Sequence, residues 1–115
     1  MKFALVIIET EESRLHIRDR RADQLQRIEA WMAEHAAGGT LIGGEAFETE
    51  AVGPVTIRHN ATGERTVIEA PFAGDAETLG GYLLVETTDR HAAITLAQSW
   101  PTEETIEIRP IWVSQ

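Results

Sequence analysis

Glu69-Ala70-Pro71-Phe72, a polar spacer ending in Glu77, and then Leu79-Gly80-Gly81-Tyr82-Leu83-Leu84 decide how this chain is read. The run from Leu79 to Thr87 predicts a strand. Its paired glycines mark a bulge or a close backbone approach, because no side chain stands in the way. Upstream, Val55-Thr56-Ile57-Arg58-His59 and Arg65-Thr66-Val67-Ile68-Glu69 flank Asn60-Ala61-Thr62-Gly63. Two β-rich runs around turn formers predict a hairpin, bracketed by Pro54 and Pro71. Before it, Thr40 to Glu48 reads as another strand, interrupted by Gly43-Gly44.

The outer elements complete the pattern. Phe3-Ala4-Leu5-Val6-Ile7-Ile8 is a continuous apolar run that suits a central strand covered on both faces. Glu9 to Arg18 turns polar and reads as a link, after which Asp19 is placed to cap a helix. In that helix Leu25, Ile28, Met32 and Ala36 recur at three- and four-residue steps until Gly38-Gly39 stop it. Asp89 is placed to cap a second helix that turns Ala93, Leu96, Ala97 and Trp100 inward. Thr105 to Val113 alternates Ile106, Ile108 and Trp112 against Glu107 and Arg109, a closing strand in which Pro110 requires an edge or a bulge. With the hairpin set aside, the order is strand, helix, strand, strand, helix, strand, the split βαβ arrangement of the α+β class. Helices cover one sheet face. The other stays apolar, and a symmetric dimer pairing two sheets face to face covers it economically.

Composition bounds the partners. The 115 residues fit one domain, residues 1–115, with 43% hydrophobic and 25% charged residues. A formal charge of -9, from 19 acidic against 10 basic residues, repels phosphate backbones and anionic lipid. No nucleic acid and no membrane partner is expected. Phe3 to Ile8 is too short to span a bilayer and lacks the flanks of a signal peptide, so the expectation is a cytoplasmic protein. Without cysteine there is no disulfide, thiolate nucleophile or cysteine-built metal site.

A family resemblance rests on five segments in order. Leu41-Ile42-Gly43-Gly44-Glu45-Ala46, Glu69-Ala70-Pro71-Phe72, Glu77, Leu79-Gly80-Gly81-Tyr82 and Ile106-Glu107-Ile108-Arg109-Pro110-Ile111 together resemble the YCII-related family, in the branch named for its Asp-Gly-Pro-Phe motif. The resemblance implies a ferredoxin-like fold with an inserted hairpin, assembled as a dimeric α+β barrel. It also implies either an enzyme of lyase, isomerase or dehalogenase type acting on a small cyclic or aromatic acid, or a non-catalytic module linked to sigma-factor-dependent transcription regulation. Two departures bear on chemistry. Glu69 and Ala70 replace the namesake Asp and Gly. Gln24, within Arg21-Ala22-Asp23-Gln24-Leu25, falls where the wider family has a histidine that pairs with an aspartate in a proposed dyad. Glutamine is no base near neutral pH, so the dyad chemistry does not transfer.

Among the residues themselves, Glu45 and Glu69 are the candidate catalytic carboxylates. Each stands beside a segment where glycine or proline shapes the backbone, and a carboxylate in a partly apolar cleft is a candidate for proton transfer. The competing reading for Glu45 is an ion pair or amide contact fixing a bulge; for Glu69 it is a loop cap. Phe72 and Tyr82 are candidate pocket walls or core residues. His16 is placed to fold over the cleft, and Arg109 to hold a carboxylate or to pair within the sheet. Glu45 and Glu69 are expected to converge on one cleft with Phe72 and Tyr82. The four histidines are scattered at no metal-ligand spacing within one element, so neither metal nor cofactor is expected. Ser13, Ser99 and Ser114 sit in no nucleophile context.

Overall fold

The computed structural model describes residues 1–49 and 51–113; Ser114 lies outside them. Nine elements run β1 (Lys2–Thr10), α1 (Glu11–Asp19), α2 (Arg21–Ala37), β2 (Leu41–Ala46), β3 (Thr56–His59), β4 (Arg65–Ile68), β5 (Glu77–Glu86), α3 (Arg90–Gln98) and β6 (Thr105–Pro110). Four strands form one antiparallel sheet in the order β2-β5-β1-β6, and β3-β4 form a separate hairpin. This is the ferredoxin-like order with the hairpin inserted between its second and third sheet strands.

Why β1 is central follows from its side chains. Phe3, Leu5 and Ile7 point to the helical side and are 1%, 0% and 8% exposed, with Leu83 and Val85 of β5 beside them. Trp31 of α2 and Ala93 of α3 close over that face. The Trp31 indole N–H donates to Ser99 Oγ at 2.9 Å, and its ring meets Trp100 edge-on with centroids 5.0 Å apart. A buried tryptophan whose N–H is satisfied ties the two helices together at little polar cost.

The opposite face of β1 is only half covered. Paired residues share a face, so register sets the rows on this side. Glu45, Tyr82, Val6 and Glu107 form one row, and Gly43, Leu84, Ala4 and Arg109 the next. Among the described residues, no element lies over them as the helices lie over the other side. The molecule is accordingly flat, 48 × 46 × 18 Å, with a radius of gyration of 16.0 Å. An ordinary domain of this size has about 13 Å.

Four expectations need correction. The stretch from Glu9 to Arg18 is no link: β1 extends to Thr10 and a helix starts at Glu11. Thr10 Oγ1 accepts from the Ser13 amide while Ser13 Oγ accepts from the Thr10 amide, a reciprocal cap that starts α1. Asp19 therefore ends a helix instead of capping one, and α2 begins after Arg20 without a side-chain cap. The inward face of α2 is carried by Gln24 and Trp31, both buried, whereas Leu25 is 42% exposed and Ala36 is exposed. Trp112 lies past the end of β6 at 83% exposure and continues no alternation.

Candidate functional site

The glycine pairs do their work backbone to backbone. Where β2 pairs β5, Gly44 (φ 139°) lies opposite Leu83 and Gly81 (φ 153°) opposite Ala46. A Cβ on Gly44 would lie 2.5 Å from the Tyr82 carbonyl oxygen, and one on Gly81 2.5 Å from that of Glu45. The space beside Gly80 is already filled by the side chain of Glu9. The register shifts lie beside them, between Leu41 and Gly43 where β2 pairs β5, and at Gly80, opposite Ile7 and Ile8, where β5 pairs β1.

The cavity lies further along, where β2 and β5 run out toward the hairpin. It has a volume of about 490 Å³, and its walls are Phe47, Pro54, Val55, Pro71, Phe72 and Leu79, with Thr49, Thr56 and Thr78 between them. Such a volume suits a small organic molecule. Three charged side chains reach it: Arg14, Glu48 and Asp75. Arg14 comes from α1 and is half-buried; its Nη1 donates to Thr78 Oγ1 at 3.1 Å and its Nη2 to the Asp75 carbonyl at 2.7 Å. Two contacts fix the guanidinium plane and leave further N–H donors of its five.

The far wall is anchored to the hairpin. Arg58 Nη2 donates to the Phe72 carbonyl at 3.2 Å, and the guanidinium stands 4.6 Å from the centre of the Phe72 ring. Thr56 Oγ1 donates to the Ala70 carbonyl at 2.6 Å. The Pro71-Phe72 corner is thus held against β3 by a cation–π contact and two hydrogen bonds. On the other side Glu48 accepts from the Ala51 amide at 2.6 Å and shapes the turn leaving β2.

The sequence-derived candidates divide between places. Phe72 lines the cavity. Tyr82 is next to it, its ring 6.3 Å from that of Phe47. Glu45 is exposed opposite Tyr82 on the open sheet face, and Glu69 is exposed just after β4; neither lines the cavity. Arg109 Nε donates to Glu107 Oε2 of its own strand at 3.1 Å, on that same open face. His16 stands on α1 against the carboxylate of Glu103, two residues and over half a helical turn from Arg14. His35 meets the Trp31 ring at a 55° tilt with centroids 4.4 Å apart, while His59 and His91 are exposed.

Arg14 and Phe47 are the residues that sequence reasoning passed over. Arg14 was hidden in the stretch read as a link, and the capping pair Thr10 and Ser13 was the available sign of a helix there. Phe47 was visible only as the end of a strand.

A ferredoxin-like α+β domain with an added hairpin and a mixed apolar and charged cavity at the hairpin's base is the class this structure defines. The chain belongs to the YCII-related family, whose domain model matches residues 1–114. No curated protein matches it. Among the described residues, no helix is long and apolar enough to cross a membrane.

Proposed function

We propose that this chain is a small-molecule-binding protein that works as a homodimer and takes a compact cyclic or aromatic carboxylic acid in the cavity between hairpin and sheet. The observation that carries the reading is the cavity itself: apolar rings on several sides and one half-buried guanidinium held in place with donors to spare. A ring fills the apolar part, and a carboxylate meets Arg14 in a charge-assisted contact that no lysine would match in geometry. Glu48 and Asp75 favour ligands that also carry a donor, such as a hydroxyl or amino group.

Binding is favoured over covalent catalysis because, among the described residues, the lining contains no histidine, lysine, serine or cysteine. A reaction on this ligand would rest on carboxylates for proton transfer. Phe47 and Leu79 extend the apolar lining onto the uncovered sheet face, so a second copy laid on that face would close the cavity's open side and bring Glu45 and Tyr82 close to it.

A thermal-shift screen of hydroxylated and amino-substituted aromatic and alicyclic acids tests the reading, since a ligand bound only by the native state raises its stability. At a concentration 100-fold above Kd the gain is about 2.7 kcal/mol, a shift of several degrees. Arg14→Gln should abolish the response to acids while leaving the unliganded melting temperature within about 2 °C. A response to acids that survives Arg14→Gln unchanged, or none across the whole panel, would sink the assignment.

A further inference from the structure

We propose that Glu12, His16 and Glu103 form a binding site for a divalent first-row transition ion, Zn²⁺ foremost. Glu12 and His16 are one turn apart on α1 and share a face. The turn between α3 and β6 brings Glu103 up to them, and its Oε2 contacts His16 Nδ1. One donor atom from each residue lies within 4.8 Å of the other two. Zinc at bond lengths of about 2.1 Å holds tetrahedral donors about 3.4 Å apart. Side-chain rotation alone supplies that closure, because Glu12 and Glu103 are exposed and free to turn.

The donor set decides the metal. One imidazole nitrogen with two carboxylate oxygens is a three-ligand set that leaves a fourth position for water or an incoming ligand. Imidazole turns the preference away from Ca²⁺ and Mg²⁺, which take oxygen donors, and toward Zn²⁺ and its neighbours. Two carboxylates balance a dication, and the chain's net charge of -9 draws cations to its surface. No described element carries two histidines, and the third ligand comes from the other end of the chain, where only the fold can bring it. None of the three residues lines the cavity, so this site is independent of the acid-binding reading.

The alternative is a plain ion pair in which a protonated His16 sits between two glutamates. Isothermal titration of tag-free, chelator-treated protein with Zn²⁺, then with Ca²⁺, separates the two. One Zn²⁺ per chain is expected, with Ca²⁺ weaker by about 10-fold or more. Glu12→Gln, on an exposed helix surface, and His16→Ala should each weaken Zn²⁺ by at least the roughly 10- to 100-fold that follows loss of a mere orienting partner. Co²⁺ should give the visible absorption of a low-coordinate site in the wild type and lose it in both variants, whose circular dichroism should match the wild type. No zinc binding, or zinc binding unchanged in the two variants, overturns the site.

Discussion

At the residue scale, glycine positions were legible in sequence but not what fills the space they leave. Paired glycines read as room for a ligand or for another backbone. In the fold, Gly44 and Gly81 serve the backbone and Gly80 accommodates Glu9. The difference gives a graded expectation. Gly81→Ala forces a methyl group onto a carbonyl oxygen that belongs to a paired strand, at a positive φ, and should cost about 2–4 kcal/mol in urea unfolding. Gly80→Ala meets the Glu9 side chain from Cγ to Oε1 and no backbone, at an ordinary φ, and should cost less than Gly81→Ala. Equal losses at both positions would mean that the β2-β5 contact is looser than its geometry. The same scale explains why Glu45 and Glu69 stood out while Arg14 did not: acids beside glycine and proline attract attention in a sequence, whereas a cavity is made by residues from distant segments. Phe72 was found because the corner Pro71-Phe72 is a local feature. Arg14 reaches Thr78 and Asp75 across more than 60 positions of chain.

At the element scale, strands and α3 were readable because apolar runs and an Asp cap are local signals. Asp89 accepts from the Ala92 amide at 2.8 Å, as its position before the helix suggests. The first helical region is not legible from periodicity, because its first turn, Glu11-Glu12-Ser13-Arg14, contains no apolar residue. Its cap lies in the last residue of a strand, Thr10, which serves both elements. Thr10→Ala and Asp89→Ala should each lower stability by about 1 kcal/mol. Asp19→Ala should change it by less than about 0.5 kcal/mol, since an acid in the last turn opposes the helix dipole and caps nothing. Chemical denaturation of the three variants measures this; an Asp19→Ala loss as large as that of Thr10→Ala would restore the single-helix reading.

At the scale of the whole molecule, the continuous apolar run of β1 made a central strand visible, and the shortage of helices implied an uncovered face. The surface of the chain agrees in magnitude. It exposes 8140 Å², whereas a folded monomer of this mass exposes about 6200 Å². The excess is more than the roughly 800 Å² per partner of a standard interface. Phe47, Leu79 and Tyr82, at 44%, 55% and 37% exposure, lie on or beside the open face. Light scattering should therefore give twice the chain mass at micromolar concentration, and Tyr82→Arg, which places a charge in the middle of that face, should give the single mass with the helical signal retained. A wild-type monomer would end the dimer proposal.

The 18 Å thickness of the slab carries a thermal signature. The heat-capacity rise on unfolding is set by the apolar surface that water newly reaches, about 12–15 cal/mol/K per residue in ordinary domains. A slab with one wet face hides too little to reach that range by itself. If two copies melt together, calorimetry should return an ordinary increment, and the melting temperature should climb as the solution is made more concentrated. Diluted until its twin is gone, the same chain should show a shallower stability curve, with less curvature toward the cold and a smaller absorption of heat.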